Sequence, residues 1–191
     1  MIGRKTYETL KKCFGTVASW AVWAPPGDTV KSNTGDMSIF DDEDKLLDQL
    51  NAQYVFVGLN ASEVENGNTS PWSCFHSLHP RQNDFKLRFA LLGEKYWGSY
   101  ITDFIKGYPK TNSQEVVKDM KNNPDLLKKH KDVFLEEISL LGHPVLVAMG
   151  VATYRLIKPL EREGYVVKKI PHYAHRINKE KYREKVLEAL K

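Results

Sequence analysis

The sequence predicts an α/β protein, a three-layer α/β/α sandwich built on a four-stranded parallel sheet. Short apolar runs rich in Val, Ile, Phe and Tyr alternate with longer stretches of helical periodicity. Several runs are apolar on both faces, as strands covered by helices on each side must be. No internal repeat or composition break interrupts the 191 residues, so 1–191 reads as one domain in which 1–40 is a helical and extended preface.

The elements follow in order. Tyr7 to Phe14 forms a short helix stopped by Gly15. Val17 to Trp23 is extended and ends at Pro25-Pro26-Gly27. Asp28 to Ser38, rich in Gly, Asn, Ser and Thr, is an exposed loop. A helix over 41–50 has Asp41 as N-cap, acids in its first turn and Leu46, Leu47 and Leu50 on one face. The first strand is Tyr54-Val55-Phe56-Val57, ending at Gly58. Asn83 caps a helix running to about Lys95, and Ser99 to Ile105 is the second strand. Helices over 116–123 and 126–141 are separated by Pro124. Pro144 to Met149 is the third strand, closed by Gly150, with a helix over 151–163. Gly164 to Ile170 is the fourth strand, and Asn178 caps a last helix carrying Tyr182, Val186 and Leu190. Strands alternating with helices imply parallel pairing through crossovers.

Composition narrows the function. No apolar run reaches the roughly 18–20 residues of a membrane span. The first eight residues lack the apolar core of a signal peptide, and two cysteines, Cys13 and Cys74, make no disulfide framework. The expected setting is therefore a reducing cytoplasm. A net charge of +4 is compatible with a polyanionic partner. Nucleotide-triphosphatase, dinucleotide-fold and serine-hydrolase motifs are missing. Cys74-x-His76-x-x-His79 matches no common zinc spacing.

Polar residues gather where the parallel strands end. Gly58-Leu59-Asn60-Ala61-Ser62, Asp103 to Asn112, Gly150-Val151 and Pro171-His172-Tyr173-Ala174-His175-Arg176 should share the carboxyl edge, where open α/β sheets bind ligands. An amide, a carboxylate, aromatic faces, two histidines and several cations suit a planar hydrogen-bonding ligand with phosphates nearby.

These stretches resemble the uracil-DNA glycosylase superfamily. Gly58-Leu59-Asn60 is similar to its first motif. Phe75 followed by His79-Pro80-Arg81-Gln82-Asn83-Asp84-Phe85 resembles the Phe and His-Pro-x-x-Asn-x-Phe of the mismatch-directed branch. Tyr100-Ile101-Thr102-Asp103-Phe104-Ile105-Lys106, with Pro109 and Asn112, looks like a motif of the iron–sulfur branch, whose cluster cysteines are missing here. Val145 to Gly150 resembles the shared apolar strand, and Pro171-His172-Tyr173 falls at the family's final motif. The likeness spans about 53–178.

The resemblance implies a glycosylase-like fold and metal-free, cofactor-free hydrolysis of an N-glycosidic bond on a base flipped from DNA, uracil or another deaminated base. Asn60 would hold the attacking water and His172 would hydrogen-bond the base oxygen that gains charge. Gly58, Leu59 and Ser62 would border the base, Phe75 would stack on it, and Asp103 would read its edge. Lys106, Lys110, Arg176 and Lys179 would meet phosphates, while Tyr173 and His175 would brace the strand. The expected partner is DNA, duplex or single-stranded, met by a monomer without a membrane. Asp103 stands where several branches have Asn, and an ionised Asp only accepts hydrogen bonds. Trp20 and Trp23 have no counterpart among the motifs. A non-catalytic nucleic-acid or nucleotide-binding module and a nucleoside or nucleotide hydrolase are the alternatives on the same fold.

Overall fold

The computed structural model of the chain describes residues 2–61, 70–77, 79 and 83–191. Among them lie five strands: β1 (Ala18–Trp20), β2 (Asn51–Asn60), β3 (Ser99–Ile105), β4 (Val145–Met149) and β5 (Val167–Ile170). Helices α1 (Arg4–Phe14), α2 (Glu43–Leu47), α3 (Asp84–Leu91), α4 (Ser113–Asn122), α5 (Pro124–Ser139), α6 (Val151–Ile157) and α7 (Lys179–Leu190) surround one sheet of order β1-β3-β2-β4-β5.

The four expected parallel strands are β2 to β5, but the sheet is five-stranded and mixed. Part of the preface pairs antiparallel on the edge of β3, with Ala18 opposite Thr102 and Trp20 opposite Tyr100. Ala18, Ser19 and Trp20 are all fully buried, because the edge position is covered by α1 and the aromatic side chains beneath it. A three-residue strand lacks the length to announce its partner in sequence.

Period-two alternation splits the apolar residues into two layers. Val55, Val57 and Leu59 of β2 join Tyr7, Val116, Phe134 and Ile157 in one core. Phe56 faces the other way, into the core of Leu87, Leu91, Tyr182 and Val186. Helices thus cover both faces. Among the described residues no helix is long and apolar enough to cross a membrane.

Several boundaries move for local reasons. The expected helix over 41–50 is reduced to α2, capped by Asp42 through the Lys45 amide at 3.2 Å, and is preceded by a 3-10 turn over Met37–Phe40. Helix α3 stops at Leu91 rather than Lys95, since Gly93 turns the chain at φ +77°. The helix over 151–163 tightens to 3-10 geometry at Lys158–Glu163, where Pro159 cannot donate a backbone hydrogen bond.

Strand order positions the site. The chain leaves β2 for β3 on one side, then crosses to β4 on the other. The reversal puts a crevice beyond the carboxyl ends of β2 and β4, where ligands of open sheets bind.

Candidate active site

A cleft of about 770 Å³ opens at this reversal. Asn60 from β2, Phe75 from the following loop, Asp103 from β3, Gly150 after β4 and His172 after β5 all line it. Four sequence-predicted residues, Asn60, Phe75, Asp103 and His172, from separate strands and loops therefore line one space. Ser62 lies outside the described residues.

Asn60 is held by its own amide nitrogen. Nδ2 donates to the carbonyls of Ala61 at 2.9 Å, Tyr108 at 2.9 Å and Lys110 at 2.8 Å. Only a nitrogen is compatible with three surrounding carbonyl oxygens, so the amide orientation is settled by chemistry. Oδ1 is left as the acceptor without a protein partner among the described residues. The Lys110 amide also donates to Ala61 O at 3.4 Å, tying the loop after β3 to the end of β2.

Gly58 lies opposite Asp103 in the β2–β3 register. A Cβ at Gly58 would collide with Asp103 Oδ1 and reach within 3.6 Å of Phe75 Cε1. The missing side chain lets the carboxylate and the ring approach the strand together. Leu59 is 7% exposed and sits beside Asn60 on the cleft wall.

Phe75 adopts a left-handed backbone, φ +64°, as does Trp72 at +68°. Such conformations cost a residue other than Gly about 1–3 kcal/mol and persist only when neighbours hold them. The neighbours here come from the preface. Trp23 Nε1 donates to Phe75 O at 3.2 Å, and Ser19 Oγ donates to Trp72 O at 2.7 Å. The Trp72 amide donates to Gly15 O at 2.7 Å, and its indole donates to Tyr7 Oη at 2.9 Å. The N-terminal residues, unexplained by any motif, clamp the loop that carries Phe75.

His172 has a defined tautomer. The Ala174 amide donates to Nδ1 at 3.1 Å, so Nδ1 carries no proton and Nε2 does. Burial pushes the imidazole down to about 4, which keeps it neutral near pH 7. The Tyr173 ring lies tilted against it at 4.3 Å. Gly150, φ +94°, leaves room for it: a Cβ there would lie 3.4 Å from the His172 Cβ.

The cations divide. Lys106 does not face the cleft: its ammonium pairs with the fully buried Glu137 at 2.6 Å and donates to Thr102 Oγ1 at 3.1 Å. Lys110 lines the cleft but is neutralised by Asp119 at 2.7 Å. Lys179 pairs with Glu180 and lies over the Phe89 ring at 5.0 Å, away from the cleft. Tyr173, only 7% exposed, packs in the core as well as lining the cleft, and so cannot reach outward as a brace. His175 is exposed on the rim, and Arg176 is exposed outside it. Sequence reasoning missed Lys169 and Lys185, which both line the cleft. The alternation in β5 held a signal, since it sends Lys168 to the α7 face, where Nζ reaches Leu190 O at 2.8 Å, and Lys169 to the other.

The Cys74, His76 and His79 cluster does not assemble as ligands. Cys74 Sγ donates to Thr16 O at 3.3 Å, whereas His76 is buried between Trp23 and Phe40 at 5.3 Å from each ring. Among the described residues no group of three His, Cys, Asp or Glu could hold a metal ion.

The cleft can thus offer a fixed amide oxygen, a carboxylate, a neutral imidazole donor and an aromatic wall to one planar ligand. No protein-family model, curated protein or solved structure matches the chain.

Proposed function

We propose that the protein is a monofunctional DNA glycosylase of the uracil-DNA glycosylase type, hydrolysing the N-glycosidic bond of a base flipped into this cleft. The observation that supports it best is that Asn60 and His172 line one cleft. Among the described residues the amide of Asn60 has its nitrogen occupied and its oxygen without a partner, and His172 has its Nδ1 occupied and no acceptor on its Nε2 proton.

Hydrolysis needs a water directed at the sugar carbon and stabilisation of the negative charge that the leaving base collects. Asn60 Oδ1 accepts a hydrogen bond from the water and aims it, without taking the proton, since an amide does not ionise. The carbon–nitrogen bond breaks as the water oxygen bonds to the sugar. The base departs with the electron pair and finally holds one water proton. Neutral His172 donates Nε2–H to the base oxygen on which the charge builds. A preorganised donor of this kind contributes about 3–4 kcal/mol in comparable sites. Phe75 stacks on the base, worth about 1–3 kcal/mol. The reaction needs no lysine nucleophile, and the cleft lysines flank the site.

The test is incubation of purified protein with duplex and single-stranded oligonucleotides carrying uracil, hypoxanthine or xanthine, followed by alkali. Strand cleavage at the modified position is expected, lost in Asn60→Ala. Intact strands with retained, salt-dependent binding would show a non-catalytic binding module. Base release from free nucleosides without DNA affinity would show a nucleoside hydrolase.

A further inference from the structure

We propose that Asp119 is a positioning residue of the cleft, fixing the orientation of the Asn60 amide through Tyr108 and Lys110. The tether is built from hydrogen bonds alone; its consequence for catalysis rests on the reading of Asn60 given above.

Asn60 ends β2, and two of the three carbonyls around its Nδ2 belong to Tyr108 and Lys110, at 2.9 and 2.8 Å. Both residues lie between β3 and α4, outside regular structure. Carbonyls on such a connection need side-chain anchors to keep their place. Asp119 supplies both anchors. Its Oδ2 accepts from the Tyr108 hydroxyl at 2.8 Å and from the Lys110 ammonium at 2.7 Å. One carboxylate oxygen thus holds the two residues whose carbonyls hold Asn60. Lys110 Nζ also lies 5.9 Å from the centre of the Tyr108 ring, so the two side chains brace each other. Hydrogen bonds from Lys110 and then from Tyr108 keep the Asp119 carboxyl below its ordinary range, an ionised acceptor at neutral pH.

Asp119 stands on a packed element. Helix α4 places it one turn after Val116 and directly before Met120, both fully buried. Asn112 caps that helix, accepting from the Gln114 amide at 3.0 Å. Glu115, on the same helix, approaches Lys110 at 3.6 Å and has a side chain 56% exposed, which makes it a natural control.

The two ends of an amide have nearly the same shape, so its hydrogen-bond surroundings decide which end the cleft meets. With the Tyr108 and Lys110 carbonyls displaced, Asn60 is free to turn and present a donor where the attacking water needs an acceptor. Misplacement by about 1 Å costs up to about a hundredfold in rate.

Nitrogen–proton NMR spectra of the full chain test the tether, with the Asn60 side-chain amide pair assigned by its absence in Asn60→Ala. Slow exchange of that pair with water is expected in the wild type. Asp119→Ala should speed it about tenfold, and Glu115→Ala should leave it unchanged. The melting temperature should stay close to wild type, since the lost ion pair is partly exposed. Tyr108→Phe/Lys110→Ala removes both donors and should reproduce the effect, and it decides the matter if Asp119→Ala fails to fold. On an oligonucleotide that the wild type cleaves, Asp119→Ala should lower kcat about tenfold with KM little changed. Asp119→Asn, which keeps an acceptor for Tyr108, should recover part of that loss. An Asn60 pair that exchanges alike in wild type and both tether variants, or that responds equally to Glu115→Ala, overturns the proposal. Faster exchange with kcat unchanged would keep the tether and refute the water-holding role of Asn60. Faster exchange in a protein whose wild type releases no base leaves the tether standing and sinks the glycosylase reading.

Discussion

Gly58 and Asp103 face each other across β2 and β3, with the Asp103 carboxylate occupying the space where a Gly58 side chain would be. Gly58→Ala should displace that carboxylate and crowd the Phe75 ring. The displaced group is the far end of a flexible side chain, so the fold should lose no more than about 1 kcal/mol. Ligand affinity should fall tenfold or more. Urea denaturation alongside nucleotide titration separates the two effects; equal losses in both would refute the assignment of Gly58 to the cleft wall.

The Asn60 amide predicts an unusual ordering of variants. Asn60→Asp keeps the side-chain size but places a carboxylate oxygen among the carbonyls of Ala61, Tyr108 and Lys110. Asn60→Ala only removes the donor. The Asp variant should be the less stable of the two at neutral pH by about 1–3 kcal/mol, the cost of charged acceptors left without donors. Chemical denaturation of both variants checks it, and equal stability would contradict the amide orientation.

Lys106 and Lys110 should part company when truncated. Lys106→Ala leaves Glu137 fully buried without its cation, which costs about 3–5 kcal/mol. Lys110 bonds Asp119 at the surface, and its truncation should stay within about 1 kcal/mol. A Lys106 variant that folds normally yet binds DNA poorly would restore it as a phosphate contact.

Burial pushes both His76 and His172 down from 6.5 to about 4. Between these values the unfolded chain takes up protons that the folded chain refuses. Stability is therefore full above about 6.5 and falls as pH drops toward 4, by up to about 3 kcal/mol per histidine at about 1.4 kcal/mol per pH unit. Denaturation curves recorded from neutral pH down to about 4 should show this loss, and replacing His76 with Gln should flatten it. If His172 acts as the neutral donor in the proposed reaction, base release should hold level to pH 5 and decline near 4. A curve rising toward acid pH would reject the neutral donor.

The sequence by itself determined the strands β2 to β5, the helices between them and the polar residues at their ends. Those features are local: alternation, caps and glycine stops act within a few residues, so Asn60, Asp103 and His172 were legible at strand ends. Tertiary structure alone decided what each met. It paired Lys106 with Glu137 instead of a ligand, turned Tyr173 into the core, and set Lys169 and Lys185 in the lining of the cleft. It recruited Ala18 to Trp20 as an antiparallel edge and used Trp23 to hold Phe75 in a left-handed turn. The physical reason is that a side chain's partner is selected by desolvation and geometry among groups far away in sequence. Local pattern shows where a charge or ring emerges, and the packed fold decides what it touches.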